Sequence, residues 1–197
     1  MSKDNENKII ILVGPSASGK STISKYAIEN GGQETVSATT RDPRLGEVHG
    51  KDYYFFKHKT FLEKVYRREF VEYEMFNNEF YGTLKEEFEN KLKKGNIFVV
   101  LEPKGAANLK NIFGDKVFVF FLDGPNELLE KRMITRGDKK EKIEERLSIF
   151  EETRLDMKKL FIEKDLNFEV LPIFNLEENI EYSVETLYNK IIKTTTT

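Results

Sequence analysis

The sequence predicts an α/β fold, with a five-stranded parallel sheet flanked by helices, a small mixed-sheet unit inserted into it and a helical segment late in the chain. Three observations predict it. Apolar runs of strand length alternate with segments of helical period along most of the chain. The first run, Ile9 to Val13, passes directly into the glycine loop Gly14-Pro15-Ser16-Ala17-Ser18-Gly19-Lys20-Ser21-Thr22, with a helix-like segment from Thr22 to Asn30 behind it. Between Thr39 and Gly82 the alternation breaks, and the chain turns dense in arginine, tyrosine, phenylalanine and acids.

The elements follow in order. Lys8–Val13 is a continuous apolar run, as expected for a strand covered on both faces. Gly31-Gly32 caps the first helix, and Thr35–Ala38 is expected as the second strand. Arg41 to Glu47 carries turn residues and no clean period, so it reads as a loop. Tyr53–Phe56 reads as a strand and Phe61–Tyr66 as a short helix. Phe70–Phe76 alternates Val71, Tyr73 and Met75 with Glu72, Glu74 and Phe76, which predicts a half-exposed strand; Asn77-Asn78 turns it back onto Glu79–Gly82. Thr83–Lys94 is helical with Leu84, Phe88 and Leu92 on one face, and Gly95 stops it. Ile97–Leu101 and Val117–Leu122 are buried-strand runs separated by a helix over Lys104–Ile112. Asn126–Arg136 is helical, Gly137-Asp138 breaks it, and Lys139–Lys164 is a long charge-laced helix. Phe168–Leu171 is the last strand, Glu177–Lys193 the last helix, and Thr194–Thr197 a frayed end.

A length of 197 residues suits one α/β domain. At 39% hydrophobic and 34% charged the chain can bury a core, and a net charge of -2 gives no general reason to expect nucleic acid or an anionic membrane. There is no cysteine, which excludes disulfides, thiolate metal sites and cysteine nucleophiles, and His49 and His58 alone do not predict a multi-histidine metal site. No apolar stretch approaches the ~18 residues of a membrane span. The polar start, Met1 to Asn7, has no signal-peptide pattern, so a cytoplasmic enzyme is expected, as monomer or homodimer.

The glycine loop has the G-x-x-x-x-G-K-[ST] spacing of a phosphate-binding loop, from Gly14 through Ser21. With glycine usage near 7%, chance produces the bare pattern in roughly one chain of this size in a hundred. The glycines let the backbone curl so that several N–H groups face phosphate oxygens, and the following helix adds the positive end of its dipole. Lys20 is expected to reach the β- and γ-phosphates and the Ser21 hydroxyl to ligate Mg²⁺. Ser37, Arg41 and Arg44 follow the second strand, where sites gather in parallel sheets. Two arginines three residues apart can fork onto one phosphate, with Tyr53 and Tyr81 adding hydroxyls, and a nucleoside monophosphate fits such a pocket. The alternative is surface pairing of Arg41 and Arg44 with Asp42 and Glu47. Glu47 and Glu72 suit a guanine, whose N1–H and N2 amino group lie side by side and can both donate to one carboxylate; adenine has no N1 hydrogen. Ser37 and Thr83 suit the other edge. For Glu72 the alternative is a solvated strand position, and for Arg132 an ion pair on a helix that also carries Glu130.

The segment from Ser37 to Phe55 resembles the guanylate kinase signature S-x-T-T-R-x-P-R-x-G-E-x-x-G-x-D-Y-x-F. Glu69-Phe70-Val71-Glu72 resembles that family's E-F-[IV]-E, Tyr81-Gly82-Thr83 its Y-G-[ST], and Arg136-Gly137 with Arg146-Leu147 its lid arginines. The resemblance runs from about Ile9 to Phe150. It implies a P-loop core (about 1–37, 84–125 and 147–197), a GMP-binding subdomain (about 38–83) and a mobile lid (about 126–146). It implies ATP and GMP as substrates, ADP and GDP as products, and Mg²⁺ with the ATP. Gly14, Pro15, Ser16, Ala17, Ser18, Gly19, Lys20, Ser21 and Thr22 are then the ATP side. Ser37, Arg41, Arg44, Tyr53 and Tyr81 hold the GMP phosphate, Glu47, Glu72 and Thr83 hold guanine, and Lys20, Arg132, Arg136 and Arg146 are catalytic. Three departures stand out. Ala17-Ser18 replaces Gly-Ala. Val100 and Glu102 stand where the family's strand ends in two aspartates, with Lys104 in place of an amide; Glu102 is still expected among the GMP-binding residues and can orient Mg²⁺ water. The family's N-D-D-L is blurred around Asn175. Two rival readings remain: the same fold acting on another acceptor, such as a ribose bisphosphate, and a non-catalytic interaction module, against which the intact Gly14, Gly19, Lys20 and Ser21 argue.

Overall fold

Ile9–Val13 (β1) has no exposed surface at all. A strand covered on both faces has no polar side to present, which is why its sequence runs apolar without alternation. β1 pairs in parallel with Ile97–Val100 (β6) on one side and Val117–Asp123 (β7) on the other, and Glu169–Pro172 (β8) pairs in parallel beyond β7. The computed structural model describes residues 7–76, 78–163, 168–172 and 180–196; of Phe76, 160–163 and 180–183 only the backbone is described.

Among the described residues the main sheet has four strands, in the order β6-β1-β7-β8, where five were expected. The difference lies at the second strand. Gln33 makes one parallel bridge to Ile97, with its N–H on the Asn96 carbonyl at 2.7 Å and its carbonyl on the Phe98 N–H at 3.0 Å. Three residues later the Val36 N–H donates instead to the Glu87 carboxylate at 3.0 Å. Among the described residues no further bridge to β6 follows Gln33, and the chain leaves to enter a second sheet as Ala38–Thr39 (β2).

The second sheet has the order β3-β2-β5-β4, built from Tyr54–Phe55 (β3), Phe70–Phe76 (β4) and Glu79–Leu84 (β5) around β2. It is mixed: β2 and β3 are parallel, and the other pairs antiparallel. Its own small core centres on Phe61 of His58–Tyr66 (α2), which has no exposed surface and stacks on Phe70 at 4.3 Å and Phe80 at 5.3 Å. The register shifts between Phe70 and Glu72, so Val71 is an extra residue opposite the Thr83–Leu84 step. Phe70 joins the small core and Val71 the main one, so this bulge sews the two together. The predicted apolar face of β4 ends there, because Tyr73 and Met75 are 50% and 65% exposed. Asn78 takes φ 63°, as the predicted turn requires; Asn77 lies outside the described residues.

Lys20–Glu29 (α1), Lys85–Leu92 (α3), Pro103–Phe113 (α4) and Ile180–Thr195 (α7) pack against the main sheet. α3 starts two residues later than predicted, because Thr83 and Leu84 stay in β5. Asn126–Thr135 (α5) and Lys140–Glu163 (α6) form a helical pair joined at Gly137, whose φ of 87° supplies the turn. The threonine tail is not frayed as far as Thr195: α7 includes it, it is 5% exposed, and Thr194 donates to the Glu169 carboxylate at 3.0 Å.

Phe61→Ala should cost about 3–5 kcal/mol, the usual loss for a buried phenylalanine, read as a lower urea midpoint at unchanged slope. A loss under about 1 kcal/mol would mean that the second sheet does not depend on this ring.

Candidate active site

The glycine loop crosses the C-terminal ends of β1 and β7. A Cβ on Gly14 would lie 2.5 Å from the Leu122 carbonyl oxygen, so only glycine lets the chain turn off β1 against its neighbour. Ala17 takes φ 63°, a left-handed geometry that costs an L-residue roughly 1–2 kcal/mol, so the change from glycine at this position is paid in backbone strain. α1 begins at Lys20, directly after Gly19 at φ 98°. The Lys20 ammonium donates to the carbonyls of Gly14 and Pro15, both at 2.7 Å. Burial pulls its pKa down to about 8, with the Glu102 carboxylate acting in the opposite direction.

The arginines of the helical pair lean on this loop. Arg132 donates to the Ala17 carbonyl at 3.1 Å, and Arg136 reaches the Ser16 hydroxyl at 3.4 Å. Arg136 and Arg146 share one partner, the Asp138 carboxylate, which these arginines, Arg136 foremost, hold below the usual carboxylate range. Arg154 of α6 forks onto Asp123 at 3.0 and 2.7 Å and donates to the Gly124 carbonyl at 2.8 Å, tying the base of the pair to the end of β7. Sequence reasoning passed over both Asp138 and Arg154. Asp138 had a signal, since it lies between two singled-out arginines; Arg154 had none, because Asp123 is 31 residues away.

Across from the loop, a cleft of about 1190 Å³ opens between α1, the end of β6 and the second sheet. Ser21, Ser37, Tyr53, Glu72, Tyr81, Thr83 and Glu102 all line it, as do Val100 and Lys104. Within it the Thr83 hydroxyl donates to the Glu72 carboxylate at 3.0 Å, and the Ser37 hydroxyl lies 3.4 Å from that of Thr83. Glu72 is half-buried in the cleft wall, where burial raises its pKa and the Thr83 hydrogen bond opposes that. Tyr53 and Tyr81 meet edge to face at 6.3 Å.

Arg41, Arg44 and Glu47 are not among the residues lining this cleft. Arg41 forks onto the Glu47 carboxylate, with both bonds 2.9 Å, and lies over the Tyr53 ring at 5.5 Å. The Arg44 N–H donates to the same carboxylate at 2.6 Å while its side chain is exposed. Arg41 is the main reason that Glu47 titrates below the ordinary range. The anticipated pairing of Arg41 with Glu47 is therefore present. Asn175 lies outside the described residues.

A family model described as guanylate kinase matches residues 6–168. The guanylate kinase of Chlorobaculum tepidum is 40% identical over 136 residues, covering 67% of this chain and 70% of the relative. That of Prochlorococcus marinus strain NATL2A is 39% identical over 155 residues, covering 76% and 83%. The crystal structure of guanylate kinase from Anaplasma phagocytophilum shares the fold, with a TM-score of 0.62 at 22% identity over 98% of this chain and 89% of that one. With the matched region running from the glycine loop through the cleft and both arginine helices, the chain belongs to the guanylate kinase family.

Proposed function

We propose that the chain transfers the γ-phosphoryl group of ATP to GMP or dGMP, giving ADP and GDP or dGDP. One observation carries the reading: a cleft lined at one side by Ser21 of the phosphate loop is lined at the other by a half-buried carboxylate that accepts from the Thr83 hydroxyl, with Ser37 in turn beside Thr83. The loop from Gly14 to Thr22 takes the donor phosphates. Glu72 and Thr83 take the guanine edge, with Glu47 as a second carboxylate once Arg41 leaves it for the acceptor phosphate. Ser37, Tyr53, Tyr81 and Arg44 complete that phosphate's partners. An acceptor phosphate oxygen, already ionised at neutral pH, attacks the γ-phosphorus in line; the bond to the β–γ bridging oxygen breaks and ADP leaves with that electron pair. No general base is required. Charge spreads over the moving group, and Lys20, Arg132, Arg136 and Arg146 stabilise it.

Mg²⁺ suits the oxygen donors present, since the Ser21 hydroxyl and the Glu102 carboxylate line one cleft. When bound it would neutralise phosphate charge. We take 38–83 as the acceptor-binding unit, 126–146 as the lid and the remainder as the core. No helix among the described residues is long and apolar enough to cross a membrane. The reading includes a cytoplasmic monomer or homodimer that works on free nucleotides, apart from nucleic acid and membrane. One observation favours a different acceptor: Val100, 38% exposed, presents an apolar side chain to the cleft.

ADP release measured with GMP, dGMP, AMP, UMP and ribose bisphosphate should be fastest with the guanine acceptors; equal or faster turnover of any other would sink the reading. Glu72→Gln should lower kcat/KM for GMP by about 100-fold with ATP affinity kept, and an unchanged value would remove Glu72 from base recognition. Lys20 carries its charge below pH about 8 and loses it above. The value of kcat/KM for ATP should therefore fall as pH rises through that range. A flat profile up to pH ~9.5 would mean that its charge is not what ATP capture uses.

A further inference from the structure

Glu87 is 5% exposed and sits on α3, outside the cleft. One oxygen accepts the Val36 N–H at 3.0 Å and the other the Tyr54 hydroxyl at 2.8 Å; Lys91, one turn on, lies 3.7 Å away. Val36 immediately precedes Ser37, and Tyr54 immediately follows Tyr53. The two segments also bond to each other, the Tyr54 N–H donating to the Ser37 carbonyl at 2.9 Å. The next residue of α3, Phe88, has no exposed surface and belongs to the main core. One carboxylate rooted in the core thus clamps both strands that deliver Ser37 and Tyr53 to the cleft.

We propose that Glu87 is a positioning residue for the acceptor: through Val36 and Tyr54 it sets where Ser37 and Tyr53 stand. The inference rests on the reading of these two as acceptor contacts. A buried carboxylate must be satisfied by hydrogen bonds, so each donor it holds is held firmly. Burial first, and Glu87 second, push the Tyr54 phenol up to about 12, so its hydroxyl remains a donor throughout the working pH range. Ser37 in turn lies within reach of Thr83, and Thr83 of Glu72, so an error at Glu87 spreads along the acceptor wall.

The test is steady-state kinetics on Tyr54→Phe, Glu87→Met, Glu87→Gln and the Tyr54→Phe/Glu87→Met double variant, with amide hydrogen exchange at Val36. Tyr54→Phe should raise KM for GMP about fivefold and Glu87→Met about tenfold. The KM for ATP and kcat should stay within about twofold, and the double variant should be no worse than Glu87→Met alone. Glu87→Gln should rescue, because its amide oxygen accepts from Val36 while its NH₂ donates to the Tyr54 oxygen. Val36 exchange should speed up in Glu87→Met and not in Glu87→Gln. An unchanged KM for GMP in Tyr54→Phe, or equal rises in both KM values, would overturn the inference; Tyr54→Phe removes one hydroxyl and decides this even if Glu87→Met fails to fold. A wild-type enzyme inactive on GMP would overturn the proposed function instead. The same comparison on whichever monophosphate it does turn over would then decide the role of Glu87.

Discussion

The constraint on which the molecule depends is the sealing of β1 between two parallel neighbours. Because β6 and β7 flank it, Ile9 to Leu12 are paired on both edges and Val13 on one, and the apolar side chains have core on both faces. The chain is then free to turn only at the strand's end, and there the Leu122 carbonyl leaves no room for a Cβ on Gly14. The loop is thus aimed by the sheet. β6, paired on the other side, ends beside it and carries Val100, Glu102 and Lys104 into the same cleft. The end of the loop at Ser21 and the second sheet meet at one cleft because of strand register.

Around that frame the cations are held by internal acceptors. Lys20 rests on two loop carbonyls, Arg41 on Glu47, and Arg136 and Arg146 on Asp138. An incoming phosphate exchanges one set of partners for another, and does not have to order a long side chain out of solvent. On the proposed reading, Arg41 leaving Glu47 for a phosphate would free that carboxylate for a donor-rich base edge, and this one ion pair would couple phosphate and base recognition. Asp138 similarly holds Arg136 and Arg146 together on one carboxylate.

Much of this was legible in the sequence. The apolar run and glycine spacing placed β1, the loop and α1, and the motif-bearing residues Ser37, Tyr53, Glu72, Tyr81 and Thr83 do line one cleft. What was not legible depends on contacts between distant residues. The second strand ends at the single Gln33–Ile97 bridge, and the Val36 amide just beyond it is held by Glu87, 51 positions away. The alternation in β4 misread Tyr73 and Met75, because the bulge at Val71 spends the apolar pair Phe70-Val71 on two different cores. At Ala17 the sequence shows one small residue in place of another, and the cost appears only in a φ angle.

The departures at the end of β6 can be weighed as charges. Relative to the family pattern, an acid becomes Val100 and an amide becomes Lys104, so this wall of the cleft is more positive by two. Neither change touches the Thr83-braced carboxylate of Glu72, which stands on the second sheet and has its own hydrogen-bond partners. Selection among bases is set by which donors face that carboxylate, a short-range matter of paired or unpaired polar groups. A gain of positive charge acts over a longer distance and on any dianionic phosphate alike. On the proposed reading the two effects separate: the altered wall would change how strongly an acceptor phosphate is drawn in, while Glu72 and Thr83 would still decide which base follows it.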